Sequence, residues 1–121
     1  VTWAVRSKRW IIPRVWGLVP GDTQVTPVGV VTDRGAGRDE TLRRWRAILP
    51  EYMAAYDRSG LLPDTDPGAG ALQVNDRVVG LVAAGKVGVS PGFVRFDGPD
   101  VVFADGSRTR ADVVVFATGY D

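Results

Sequence analysis

An arginine, a serine and a lysine stand at positions 6–8, directly after the apolar run Val1 to Val5. A guanidinium presents a planar fork of donors, a hydroxyl adds one more, and an ammonium adds a point charge; together they suit a phosphate. The same set also serves as the solvated end of a strand, where charges gather for want of apolar neighbours. A second stretch of interest is Ala117-Thr118-Gly119, which follows the branched and aromatic run Val113 to Phe116. A glycine after a buried strand lets backbone approach a ligand closely, and open α/β sheets hold ligands at the carboxyl ends of their strands. Its plain reading is a tight turn.

Composition limits the rest of the chemistry. The 121 residues contain no cysteine and no histidine, which removes disulfides, thiolate metal sites, the usual zinc and haem ligands and the commonest general base. Any catalysis would borrow a cofactor or use carboxylates. A formal net charge of +1 gives no electrostatic reason to expect nucleic acid or an anionic membrane. An apolar fraction of 45% with 24% charged residues is ordinary for one globular domain with a real core. No stretch approaches the roughly 20 apolar residues of a membrane span and no signal peptide opens the chain, so a cytoplasmic location is the expectation. The chain begins at Val1, without methionine, in strand-like sequence and ends just past another such stretch, which reads as a piece of a longer polypeptide.

The elements that would position these residues follow from pattern. Residues 1–6 read as a strand with a basic carboxyl end, and 7–38 as an ordered loop rich in proline and glycine, pinned by Trp10 and Trp16. Over 39–60, Leu42, Trp45, Leu49, Tyr52 and Tyr56 alternate at spacings of three and four, one helical face, with Arg43, Arg44 and Arg46 toward solvent. Pro50 predicts a kink or a second helix carrying proline in its first turn, and Gly60 a C-terminal cap. A short helix is expected over 75–85, capped by Asn75 with Asp76 in its first turn, burying Val78, Leu81 and Val82 and closed by Gly85-Lys86. Strands are expected over 87–121: Val87 to Val89, Phe93 to Phe96, Val101 to Phe103, and after an Asp105-Gly106 hairpin turn, Asp112 to Phe116. That last run is apolar on both faces, as in the middle of a covered parallel sheet.

In a dinucleotide-binding fold the end of the second strand meets the adenosine ribose, where a carboxylate suits the 2′-hydroxyl of NAD and an arginine the 2′-phosphate of NADP. Arg6, Ser7 and Lys8 fit the second case. A rival reading takes the arginines and tryptophans of "RSKRWIIPRVW" as a stacking surface for single-stranded nucleic acid, although the low net charge argues against it.

The segment "VRSKRWIIPRVWGLVPGD" resembles the stretch that follows the second strand of the NADPH-binding domain in flavin-containing monooxygenases. The segment "VNDRVVGLVAAGKVGVSPGFVRFDGPDVVFADGSRTRADVVVFATGYD" is similar to that family's run into its FATGY motif. It has the asparagine-aspartate helix start, the proline-glycine turn and the aspartate-glycine hairpin. The likeness covers about the first 22 residues and the last 48 and leaves the Trp45 helix out.

The resemblance implies an α/β fold, a partial Rossmann-like FAD/NAD(P)-binding domain with parallel strands, a β-hairpin or meander and two or three helices. It implies that Arg6 and Ser7, with Lys8 as an accessory, bind the 2′-phosphate of NADPH. It also implies that Ala117, Thr118 and Gly119 lie where the chain passes from the nicotinamide domain to the FAD domain, supplied by the remainder of the parent chain. The family's chemistry uses FAD, NADPH and O2 to oxygenate a soft nitrogen or sulfur nucleophile through a C4a-hydroperoxyflavin, without metal. Neither glycine-rich dinucleotide fingerprint occurs in these residues, nor does the family's F-x-G-x-x-x-H-x-x-x-Y/W signature, so the segment by itself is expected to be inactive. Alternatives stay open: a Baeyer–Villiger or N-hydroxylating enzyme of the same class, or a module that only binds a dinucleotide.

Overall fold

The computed structural model describes residues 1–16, 18–20, 27–67 and 72–118, with the backbone path alone for 27–35. Its strands are β1 (Thr2–Val5), β2 (Ile11–Ile12), β3 (Val15–Trp16), β4 (Val19–Pro20), β5 (Gln73–Val74), β6 (Gly88–Pro91), β7 (Phe93–Asp97), β8 (Asp100–Phe103) and β9 (Arg108–Arg110). The helices are α1 (Pro27–Ile48), α2 (Pro50–Ser59) and α3 (Val78–Ala83). The architecture is mixed α/β, and the chain divides into two compact units.

The first unit comprises Val1 and Lys8–Gly88. The helical run begins at Pro27, ahead of the expected 39–60, so the expected loop 7–38 holds three short strands and a helix start. Pro27 suits a first helical position, and the glycines that made this stretch read as loop are used for a break at Gly37. There φ is 70° and ψ 170°, a region open essentially to glycine alone. The break before Pro50 is where proline chemistry puts it. Leu49 precedes a proline, which disfavours helical backbone, and it sits at φ −128°, ψ 57°. Pro50 then opens α2 and Gly60 closes it in the left-handed conformation at φ 67°.

Leu42, Trp45, Leu49 and Tyr56 are buried, joined by Met53 from the same side of α2. The Trp45 ring receives Trp10 and Trp16 edge-on, at centroid distances of 5.4 and 5.5 Å. Both tryptophans donate their indole N–H to backbone carbonyls, Trp10 to Thr65 and Trp16 to Pro13, each at 3.0 Å. The loop is thus anchored by its aromatics. On the outer side Glu40 accepts from Arg43 and Arg44, which holds its carboxyl below the usual carboxylate range, and Arg46 reaches Asp57 of α2 at 3.1 Å.

Asn75 Oδ1 accepts from the amides of Arg77 and Val78, both at 2.9 Å, so the expected cap is present one turn ahead of α3. The other end closes with Lys86 N–H on Leu81 and Gly85 N–H on Val82, both at 2.9 Å, with Gly85 at φ 70°. That pair of bonds is a Schellman closure. The buried stripe is shifted from expectation: Val79 is the buried residue of this short helix and Leu81 is exposed. The helix packs against α2, and six residues are too few for periodicity to fix which side does so.

The second unit comprises Thr2–Ser7 and Val89–Asp121. Here β7, β8 and β9 form an antiparallel meander, with Val101, Val102 and Phe103 of β8 buried at its centre. The hairpin turn at Asp105-Gly106 forms as expected, with Gly106 at φ 81°. Its second arm is β9, Arg108–Arg110, and not the expected strand Asp112 to Phe116. Val113 to Phe116 lies in no strand, and Val113 and Val115 are 80% and 82% exposed. A run apolar on both faces becomes a strand only where other strands pair with its backbone, and among the described residues none does. Phe116 instead packs edge-on against Phe93 and Phe96, at 5.6 and 6.3 Å.

Candidate functional site

Strands β1 and β6 are neighbours. At their starts Gly88 donates its amide to the Val1 carbonyl at 2.9 Å, and just past their ends Gly92 lies against Arg6. Start beside start and end beside end mean that the two strands run parallel, like β2 and β5, whose register pairs Ile11 with Gln73 and Ile12 with Val74. Arg6 and Ser7 therefore emerge at the shared carboxyl end of two adjacent parallel strands. In open α/β sheets this is the end at which ligands collect.

Both side chains are exposed there, and among the described residues neither the Arg6 guanidinium nor the Ser7 hydroxyl has a hydrogen-bond or ion-pair partner. Of the other arginines in this unit, Arg95 and Arg108 pair with Asp97, at 3.4 and 2.7 Å, while Arg110 is exposed like Arg6. A fork of donors and a hydroxyl, next to each other and uncommitted, can meet the oxygens of a phosphate without first breaking a bond within the chain. Lys8 is exposed and belongs to the first unit.

Gly92, read in the sequence as part of a proline-glycine turn, is a neighbour of Arg6. It follows Pro91 at the end of β6, and its φ is not in the left-handed region. Its lack of a side chain matters sterically: a Cβ there would lie 3.4 Å from both Cα and Cβ of Arg6 and 3.5 Å from Cγ.

The second candidate stretch stands apart from this corner in character. Ala117 and Thr118 lie in an exposed segment outside any strand, and Gly119 lies outside the described residues.

Sequence reading also missed a polar role for two tyrosines in the first unit. Tyr56 Oη accepts the Ile11 amide at 2.8 Å and donates to the Arg9 carbonyl at 3.1 Å, while Tyr52 Oη donates to the Ile11 carbonyl at 2.8 Å. Burial pushes both phenols above their ordinary value. The signal was available: tyrosines in place of phenylalanines on a buried helical face need partners for their hydroxyls.

Among the described residues no group of three or more histidine, cysteine, aspartate or glutamate side chains could hold a metal ion. No described helix is long and apolar enough to cross a membrane. Set beside family models and curated protein sequences, the chain matches none of them.

Proposed function

We propose that this chain forms part of a Rossmann-like NADPH-binding region in an FAD-dependent monooxygenase, with Arg6 and Ser7 holding the 2′-phosphate of the dinucleotide. The reading rests on the resemblance of the two sequence segments. The one structural observation that supports it is the uncommitted guanidinium and hydroxyl at the carboxyl end of β1, beside β6. The donor set fits the phosphate end of the cofactor. A 2′-phosphate carries close to two negative charges near neutral pH, and a guanidinium fork with a hydroxyl donor can satisfy two of its oxygens.

When bound, NADPH and FAD supply hydride transfer and the activation of O2. The chain's own residues bind and orient. Arg6 fixes the adenosine end through paired charge-assisted bonds and Ser7 adds a neutral donor. Ala117, Thr118 and Gly119 are the proposed passage toward the flavin domain. The substrate class that goes with this reading is a soft nitrogen or sulfur nucleophile, in a cytoplasmic setting.

The test is Arg6→Ala in the complete protein. Losing a charge-assisted bond of about 1.5–3 kcal/mol should raise the NADPH Michaelis constant by about tenfold or more, with that for NADH unchanged. A preference for NADPH equal to that of the parent protein would overturn the assignment.

A further inference from the structure

We infer that Gly92 is a specificity-determining position for the dinucleotide phosphate, acting through Arg6 as a positioning residue; this rests on the reading of Arg6 given above. The three heavy atoms nearest to a Cβ built on Gly92 are Cα, Cβ and Cγ of Arg6, at 3.4, 3.4 and 3.5 Å. The stem of the arginine thus lies over the bare backbone of Gly92. The glycine is not there for conformational freedom, since its φ is not left-handed, unlike Gly98 and Gly106 in the turns on either side of β8.

What the missing side chain provides is room, and the room is filled by the arginine whose direction matters. The backbone of Gly92 is itself held: its carbonyl accepts the Ala104 amide at 2.9 Å, which ties it to the meander, and β6 leads into it beside β1. The surface under Arg6 is therefore backbone fixed from two sides. Cβ, at ordinary contact distance, just fits. The γ-carbons of a branched residue would extend about 1.5 Å further and have to displace the Arg6 stem. A guanidinium moved by about 1 Å loses the geometry of a bidentate phosphate contact while its charge stays nearby.

The predicted defect is accordingly selective. It should weaken recognition of the 2′-phosphate and spare the rest of the adenosine. A merely structural fault at the end of β6 would weaken both.

The experiment uses the complete protein and calorimetric titration with two probes, adenosine 2′,5′-bisphosphate and adenosine 5′-monophosphate. Arg6→Ala sets the scale, with affinity for the bisphosphate falling about tenfold or more and that for the monophosphate held. Gly92→Val should reproduce most of that selective loss, and Gly92→Ala should retain affinity to within about threefold. Gly92→Thr, branched in the same way, takes the place of Gly92→Val if the latter does not give folded protein. If Arg6→Ala is selective but the branched variants bind the bisphosphate as the parent does, the role of Gly92 is overturned and that of Arg6 stands. Equal loss for both probes in the branched variants, or a loss in Gly92→Ala as large as in Gly92→Val, also overturns it. If Arg6→Ala itself leaves the difference between the probes intact, the reading of Arg6 fails and the inference with it.

Discussion

The hydroxyl of Tyr56 accepts the amide hydrogen of Ile11 at 2.8 Å, joining a helix to a strand 45 residues away. The bond belongs to a set. On one edge of β2, the carbonyls of Trp10 and Ile12 accept from Gln73 and Asn75 at 2.8 and 2.9 Å. On the other edge no strand is present among the described residues, and the Ile11 amide and carbonyl are taken by Tyr56 and Tyr52. Two side chains one helical turn apart thus do for this edge what a third strand would otherwise do. Tyr56→Phe would leave the Ile11 N–H buried without its partner, at a cost of about 1–3 kcal/mol. Chemical denaturation should show a lower midpoint at unchanged slope. An unshifted midpoint would show the bond to be dispensable.

The same pair predicts a response to alkali. Burial raises the pKa of both phenols in the folded protein, most strongly for Tyr52, so the folded state holds these protons more tightly than the unfolded chain. Their contribution is complete below the ordinary tyrosine value of 10.0 and is lost as pH rises from there through the raised values. Melting temperature should therefore fall above about pH 10, and a Tyr52→Phe, Tyr56→Phe double variant should show a shallower fall over the same range. Parallel curves for the two proteins would contradict this.

Trp45 is buried between two other tryptophans, so its removal should cost more than that of half-buried Trp16. Trp45→Ala opens a cavity against Trp10 and Trp16 and should destabilise the first unit by about 3–5 kcal/mol. Trp16→Ala, at a half-buried ring, should cost less. Thermal unfolding of the two variants gives the order directly.

In the second unit, Asp105 Oδ1 accepts from the Ser107 amide at 2.9 Å and from its hydroxyl at 2.6 Å. These bonds hold the Asp105 carboxyl below its ordinary value of 3.8. The sign is that of a depressed acid: the turn has its full support above that value and loses it as pH falls through the lowered one. Asp105→Ala should speed hydrogen exchange at the Ser107 amide severalfold at neutral pH, and in the parent protein acid should lower the protection of that amide relative to its intrinsic exchange rate at the same pH. Equal exchange in both proteins at neutral pH would remove Asp105 from the turn.

How far these features could be read in advance depended on whether their cause was local. The break at Leu49-Pro50, the Gly60 cap and the Asn75 cap follow from the covalent chemistry of single residues. They occur where that chemistry puts them. The face containing Leu42, Trp45, Leu49 and Tyr56 spans several turns, enough for its period to be unambiguous. By contrast, Val79 was missed because one and a half turns do not define a face. Strand β9 was missed because Arg-Thr-Arg has no apolar alternation; it forms through its register with Asp100, Val101 and Val102 and the bond of Arg108 to Asp97. The run Val113 to Phe116 shows the converse, since strong apolar character states what a segment would bury and not which strand pairs with it. Arg6 and Ser7 were legible as chemical types, whereas Gly92 beneath Arg6 comes from the other end of the chain and only folding brings it there.

The most direct measurement of the central claim is a crystal structure of the complete protein with NADP+ bound. The account predicts oxygens of the 2′-phosphate within about 2.7–2.9 Å of the Arg6 guanidinium, with Ser7 Oγ donating to the same group. A dinucleotide bound elsewhere, with the carboxyl end of β1 open to water, would contradict it.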